Sequence, residues 1–143
     1  MSDSQRAFFD TNVLVYAYGD TDDDRHRRAV ELFEVAIRTR SAVVSTQVLL
    51  EFYVTLTRKI SNPAPLSAGA ARERLQLLSR GPVHSPLPED VVAAVAIAEE
   101  SQVSVWDAMI IRSASRMQCP VLWTEDLNHG QVIAGVEIRN PFR

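Results

Sequence analysis

Four acidic residues end or interrupt apolar stretches of the chain: Asp10, Glu51, Asp107 and Asp126. Carboxylates are rarely buried unless they are paired or bind a metal. If the fold brings these four together, their repulsion raises their pKa values unless a cation is present. A hard divalent ion removes that conflict, and oxygen-only ligands suit Mg²⁺ or Mn²⁺. Such a site is well suited to the in-line hydrolysis of a phosphodiester bond.

Asp10 follows the apolar run Ala7-Phe8-Phe9 and precedes Thr11, Asn12 and a second apolar segment. Two interpretations are open at this point. Asp10 or Thr11 caps a short helix over residues 12–17, or Asp10 lies at the carboxyl end of a parallel strand, where open α/β sheets place their sites. The two interpretations coexist if Thr11 is the cap and Asp10 faces the site.

The hydrophobic pattern predicts strands that alternate with helices. Short apolar runs predict strands over 6–9, 42–44, 120–123 and 136–138, with a weaker candidate over 83–87. Helical spacing predicts helices over 12–17, 25–39, 46–60, 67–80, 89–100 and 106–117, the third of them capped by Thr46. No turn of the Asn-Gly type joins two strands. The alternation favours an α/β fold, a mostly parallel sheet with helices on both faces, in one domain over residues 1–143.

This architecture gives the four acids a common location. Asp10 and Asp126 each follow a predicted strand. Glu51 lies one turn into the helix after the second strand, and it is the only charge between Ser45 and Arg58. Asp107 lies in the first turn of a late helix, where the helix dipole alone could also explain it. In a parallel sheet with right-handed crossovers, all these junctions face one edge, so we expect the acids to converge.

The composition excludes several other classes of protein. The net charge is −3, so the chain as a whole is not a basic nucleic-acid binder. Cys119 is the only cysteine, which excludes an internal disulfide and a thiolate zinc site, and the histidines lack zinc-like spacing. No apolar run is long enough to span a membrane, and the first residues lack the pattern of a signal peptide. We therefore expect a cytoplasmic protein.

The sequence also lacks the motifs of competing enzyme classes. It has no Gly-x-Ser-x-Gly elbow, no P-loop and no Gly-x-Gly-x-x-Gly fingerprint. An aspartyl phosphatase would need a second Asp two residues after Asp10, where this chain has Asn12. The neutral amide favours a supporting position beside a metal over general acid chemistry.

With these residues in view, the chain resembles PIN-domain ribonucleases, and most of all the VapC-type toxins of bacterial toxin–antitoxin pairs. The resemblance rests on Glu51 and on the segments 9–17, 106–108 and 123–130. It implies a three-layer α/β/α PIN-like fold and Mg²⁺- or Mn²⁺-dependent cleavage of structured RNA, such as tRNA or rRNA. It also implies a homodimer and inhibition by a small VapB-like antitoxin.

The resemblance assigns roles by position. The metal-binding, catalytic acids would be Asp10, Glu51, Asp107 and Asp126. Asn12 and Thr124 would orient ligands or water. Many relatives carry a further acid where this chain has Asn128, which weakens the case for a second metal. Glu125 competes with Asp126 for the fourth ligand position, and Asp126 is favoured.

Substrate contacts are expected to come from arginine, because Lys59 is the only lysine and because arginine binds phosphate bidentately. The candidates are Arg72, Arg74 and Arg112, although solvated helix faces explain them equally well. The predicted function is therefore that of a metal-dependent endoribonuclease toxin. The alternatives are a catalytically silent α/β interaction module and a PIN nuclease of RNA processing that is not a toxin.

Overall fold

A computed structural model of the chain describes residues 5–19, 23–58 and 65–143. In chain order the elements are β1 (Ala7–Phe9), α1 (Thr11–Tyr18), α2 (Asp24–Arg38), β2 (Ala42–Ser45), α3 (Thr46–Thr57), α4 (Ala68–Leu78), β3 (Val83–His84), α5 (Pro88–Ser101), α6 (Val105–Arg116), β4 (Val121–Trp123), β5 (Val132–Ile133) and β6 (Val136–Arg139). The alternation of strands and helices predicted from the hydrophobic pattern is thus confirmed. No helix in the described ranges is long and apolar enough to cross a membrane.

The strands form one sheet in the order β3-β2-β1-β4-β6-β5. β1 lies inside the sheet and pairs in parallel with β2 on one side and β4 on the other. β3 joins β2 and β6 joins β4, again in parallel. The carboxyl ends of β1, β2 and β4 therefore lie at the same edge of the sheet, where the chain turns to the next segment.

Helices cover the sheet and complete a three-layer α/β/α fold, as the resemblance implied. Helix α6 packs on β2, β4 and β6, and α5 packs against α6. Among the other helices, α1 packs against α2 and α3, and α3 packs against α4. The largest fully buried side chains of the core are Phe8, Phe9, Phe52, Leu14, Ile111, Leu122 and Ile138. Burial of these side chains supplies the hydrophobic stabilisation of the sheet.

The structure differs from the sequence predictions at three places. Strand β5 pairs antiparallel with β6 through a two-residue turn, Ala134-Gly135, in which both residues have positive φ. This turn was not predicted, because Ala stands where such turns usually have Asn or Asp. Ser45 rather than Thr46 caps α3, since its hydroxyl accepts from the Val48 N–H. Strand β3 is shorter than predicted, because Pro86 has no N–H for strand pairing and Leu87 is already the N-cap of α5. The predicted end of α3 at Ile60 lies outside the described residues.

Candidate metal centre

A cavity of about 460 Å³ opens at the carboxyl edge of the sheet, and all four predicted acids line it: Asp10, Glu51, Asp107 and Asp126. They come from four separate segments, namely the end of β1, the second turn of α3, the first turn of α6 and the segment after β4. The fold therefore gathers side chains that are far apart in sequence. Strand-to-helix junctions, as predicted, account for Asp10 and Glu51 only, because α6 follows helix α5 and the segment with Asp126 leads from β4 to strand β5.

Asp10 is the buried member of the group, with only 6% of its surface exposed. Its Oδ1 accepts a hydrogen bond from the Thr11 N–H at 2.7 Å, which makes Asp10 the N-cap of α1. Its Oδ2 accepts from the Thr124 hydroxyl at 2.8 Å. The two interpretations of Asp10 are thus both correct, because one carboxylate caps the helix and also lines the cavity.

Burial raises the pKa of Asp10 from 3.8 to about 6. The hydrogen bonds from Thr124 and Thr11 oppose this shift, and the nearby carboxylates of Asp126 and Glu51 add to it. Since two further acids raise the pKa of a buried acid, the site favours an added positive charge.

Glu51 is half-buried and faces the cavity from α3. Its Oε1 accepts from the Thr11 hydroxyl at 3.1 Å, and its Oε2 accepts from the Gln47 side-chain amide at 3.5 Å. Thr11 is therefore not the cap of α1, as one prediction had it, but the first helical residue. Its hydroxyl instead links α1 to Glu51.

Asp126 is fixed by the two polar residues that the resemblance had assigned to supporting roles. The Asn12 amide donates to Asp126 Oδ2 at 2.8 Å and to the Thr124 hydroxyl at 3.4 Å. The Thr124 hydroxyl in turn accepts from the Asp126 N–H at 3.1 Å. Glu125, the competing candidate, instead forms an ion pair with Arg25 at 2.9 Å and does not line the cavity.

Asp107 lies in the first turn of α6, whose N-cap is Ser104. Burial raises the pKa of Asp107, the hydrogen bond with Ser104 opposes the shift, and the Asp126 carboxylate adds to it. The carboxylate of Asp126 therefore raises the pKa values of both Asp107 and Asp10.

The donor set suits Mg²⁺ or Mn²⁺, because every candidate ligand in the cavity is a carboxylate or a neutral oxygen. Within the described ranges, however, no three Asp, Glu, His or Cys side chains lie close enough to bind one ion as they stand. Hydrogen bonds from Thr11 and Asn12 hold Glu51 and Asp126 in their present positions. The oxygen ligands of the cavity thus fit a hard cation. For three of the four carboxylates to bind one cation, their side chains would have to rotate.

The three arginines predicted to contact RNA lie away from the cavity. Arg112 Nε donates to Asp90 Oδ1 at 2.8 Å, and Arg74 donates to the carbonyl of Ala70 in its own helix. Arg72 lines a separate hollow between α3 and α4. A role of these arginines in RNA binding stays a prediction.

Sequence reasoning missed Arg58 and Trp106, which line the cavity together with Gln47. A signal for Arg58 was present, since Gln47, Glu51 and Arg58 recur at helical spacing and share one face of α3. Trp106 shares helical spacing with the buried residues Ile110 and Ala114, yet 70% of its own surface is exposed.

Comparison with known proteins places this geometry in a wider context. The sequence model of the PIN domain family matches residues 7–133 of the chain. None of the curated proteins matches the chain in sequence.

Several solved structures share the fold. A toxin–antitoxin complex from Klebsiella pneumoniae has 19% identity and a TM-score of 0.69, with 94% of this chain and 97% of that chain covered. Mycobacterium tuberculosis VapC20, described as a sarcin–ricin loop cleaving toxin, has 21% identity and a TM-score of 0.63 over 84% and 91% of the two chains. DNA-bound VapBC from Salmonella typhimurium has 18% identity and a TM-score of 0.65 over 96% and 98%. At these identities the similarity is one of fold.

Proposed function

Because the chain belongs to the PIN domain family, we propose that it is a divalent-metal-dependent endoribonuclease. It hydrolyses phosphodiester bonds in structured RNA, of the tRNA or rRNA class, and acts as the toxin of a type II toxin–antitoxin pair. The observation that carries the proposal is the convergence of four acids from four segments on one cavity. A catalytically silent module has no need of such a costly accumulation of carboxylates.

The ions that fit this site are Mg²⁺ and Mn²⁺, held by Asp10, Glu51, Asp107 and Asp126. An ion held by these residues would supply a nucleophile from water and would stabilise the leaving oxygen of the phosphodiester. Asn12 and Thr124 fix the carboxylates of Asp126 and Asp10 through the hydrogen bonds described above. Ligand orientation by such groups commonly affects metal affinity or activity 10- to 100-fold.

The proposed biological role draws on the structures of similar fold. One of them is described as a toxin that cleaves the sarcin–ricin loop, and others are complexes of a toxin with its antitoxin. By analogy, the partner of this chain is a small VapB-like antitoxin, and the chain acts in the cytoplasm as a homodimer. The antitoxin partner, the cytoplasmic location and the homodimer are proposed from similarity of fold.

The test compares Asp126→Asn with Glu125→Gln, a matched pair of neighbouring acids of which only Asp126 lines the cavity. Purified proteins are incubated with total bacterial RNA in Mg²⁺, in Mn²⁺ and in EDTA, and the new RNA ends are mapped. We expect wild type and Glu125→Gln to produce the same ends, and Asp126→Asn to lose about 100-fold or more of the activity. EDTA should abolish cleavage in all of them.

Asp10→Asn serves as a second variant and should be equally inactive, because Asp10 is the buried acid of the site. Cleavage by both variants at the wild-type rate would overturn the proposal. Wild-type protein that binds an antitoxin but cuts no RNA would favour the silent interaction module instead.

A further inference from the structure

The rim of the cavity presents a large aromatic side chain to solvent. Trp106 immediately precedes Asp107 and is 70% exposed, and Leu50 and Val54 on the facing side of α3 are 69% and 46% exposed. Aromatic side chains of this size usually bury their faces. An apolar surface that is contiguous with a cluster of carboxylates marks the rim as a contact surface.

The opposite end of the cavity carries a positive charge. Arg58 is the one basic residue that lines the cavity, within the part of the chain that the structure describes. Among those same residues, it forms no ion pair, whereas Arg25, Arg112 and Arg139 each pair with an acid. An exposed guanidinium beside acids that would hold a metal is available for a phosphate group.

Trp106 and Arg58 are held at opposite ends of one surface by α3. The Gln47 amide approaches the Trp106 carbonyl at 3.5 Å, and Arg58, the C-cap residue of α3, follows Gln47 by eleven residues. That spacing corresponds to about 16 Å along the helix axis. Glu51 lies between the two ends, so the carboxylates occupy the middle of this surface.

We propose that the rim binds an unpaired stretch of RNA, with one base stacked on Trp106 and a backbone phosphate held by Arg58. The inference rests on the proposed function and specifies which residues of this chain contact the RNA strand. A base in a duplex has both faces covered by its neighbours, whereas an unpaired base leaves a face free for an aromatic side chain. The cavity therefore selects a loop or a single strand at the scissile bond.

A protein segment could also cover an exposed tryptophan, but the composition of the surface favours RNA. The aromatic ring, the unpaired arginine and the four acids line the same cavity. Binding and cleavage of a nucleic-acid strand require three groups together: one that stacks on a base, one that binds a phosphate, and carboxylates that hold a metal. A purely apolar protein contact would leave Arg58 without a role.

Binding is tested without cleavage, in EDTA and at low ionic strength. The probes are a fluorescein-labelled single-stranded oligoribonucleotide of mixed sequence and the same strand annealed to its complement, followed by fluorescence anisotropy. The variants are Trp106→Ala, Trp106→Phe and Arg58→Ala. Val92→Ala is the matched control for an equally exposed apolar residue outside the cavity, and Arg80→Ala is the control for an exposed arginine.

We expect Trp106→Ala to weaken binding of the single strand about 10- to 100-fold, and Trp106→Phe to retain most of the affinity because it keeps an aromatic face. Wild type should bind the duplex more weakly, and the alanine variant should lose this preference. Arg58→Ala should lower the slope of log affinity against log salt by about 0.7, as the loss of one phosphate contact predicts. Both controls should bind like wild type.

Single-strand affinity that is unchanged in Trp106→Ala would overturn the inference and assign the rim to a protein contact. Wild-type protein that binds no RNA, or that binds duplex as well as single strand, would overturn it too. The proposed nuclease function is judged separately, by cleavage in Mg²⁺ or Mn²⁺. If wild type cleaves RNA while Trp106→Ala binds and cleaves equally well, the function stands and only this inference fails.

Discussion

Asp10 and Asp90 are both buried aspartates, 6% and 0% exposed, yet their surroundings are opposite. Asp10 lies near Glu51 and Asp126, and its pKa is raised to about 6. Asp90 lies among basic groups, and its pKa is lowered. The charge of Asp90 is thus balanced by basic groups of the protein, whereas that of Asp10 is not balanced by any described residue.

The neutralisation of Asp90 is complete within the protein itself. Its Oδ2 accepts from the Leu87 N–H at 2.8 Å, which lowers its pKa and fixes the start of α5. Its Oδ1 forms ion pairs with Arg112 at 2.8 Å and with Arg116 at 3.3 Å. His84 lies 3.5 Å away, but burial lowers the pKa of His84 and favours its neutral form. Asp90 therefore joins α5 to α6, and the two arginines balance its negative charge.

Asp10 has hydrogen bonds from Thr11 and Thr124 and no ion pair among the described residues. Two acids that increase its pKa lie on the open side, at the cavity. Unfavourable arrangements of this kind cluster at functional sites, where they prepare the binding of a ligand. The difference between the two aspartates is thus a physical criterion for telling a structural acid from a functional one.

The strongest test of the comparison removes the structural acid. Asp90→Ala should lower the free energy of unfolding by about 3 to 4 kcal/mol, because it deletes the hydrogen bond to the Leu87 N–H at the start of α5 and leaves two arginines without their partner. Urea denaturation followed by circular dichroism measures the change. If the protein cleaves RNA as proposed, the variant should keep this activity per folded molecule, and a selective loss of activity would contradict the assignment of Asp90 to structure.

Asp10, the proposed metal ligand, should behave in the opposite way. A raised pKa means that the folded state prefers protonated Asp10, so its contribution to stability falls as the pH rises from about 4 through 6. Asp10→Asn should therefore gain stability relative to wild type, by about 2 to 3 kcal/mol, between pH 4 and pH 7.5.

This shift is measured by urea denaturation in EDTA at the two pH values, with Glu31→Gln as the control for removal of an exposed acid. The control should show little change in relative stability between the two conditions. If the relative stability of Asp10→Asn did not depend on pH, the electrostatic contrast between Asp10 and Asp90 would be wrong.

The smallest effect is expected at Arg112, which sequence reasoning had offered as an RNA contact. Arg112→Met keeps the length of the side chain but removes the ion pair with Asp90, which Arg116 still contacts. We expect a loss of about 1 kcal/mol in the free energy of unfolding and no change in RNA affinity. A clear fall in RNA affinity without loss of stability would restore the original prediction.

Much of this arrangement follows from local sequence. Asp10 and Asp126 come after short apolar strands, and Glu51 is a lone charge in its helix. The rule that parallel strands end at one edge of a sheet then brings them together, as the structure does. Their role as metal ligands stays a prediction, but their common location could be inferred without any coordinates.

Other features depended on long-range packing that local patterns do not record. Trp106 has the spacing of a core residue, and only the arrangement of α3 and α6 leaves it at an open rim. Arg112 appears free in the sequence, because its partner Asp90 lies in another helix. The turn at Ala134-Gly135 was missed because Ala at positive φ is uncommon in such turns.

The pairing of β1 with β4 has a consequence for the synthesis of the chain. Thr124, whose hydroxyl bonds Asp10, follows it by 114 residues, so the cavity cannot form until both have left the ribosome. A nascent chain that ends before β4 lacks the strand beside β1 as well as the acid at position 126. If the finished protein cuts RNA, then the ribosome that translates it meets no assembled nuclease until translation has passed those residues. The topology of the sheet thereby makes assembly of the cavity wait for the synthesis of β4 and the residues that follow it.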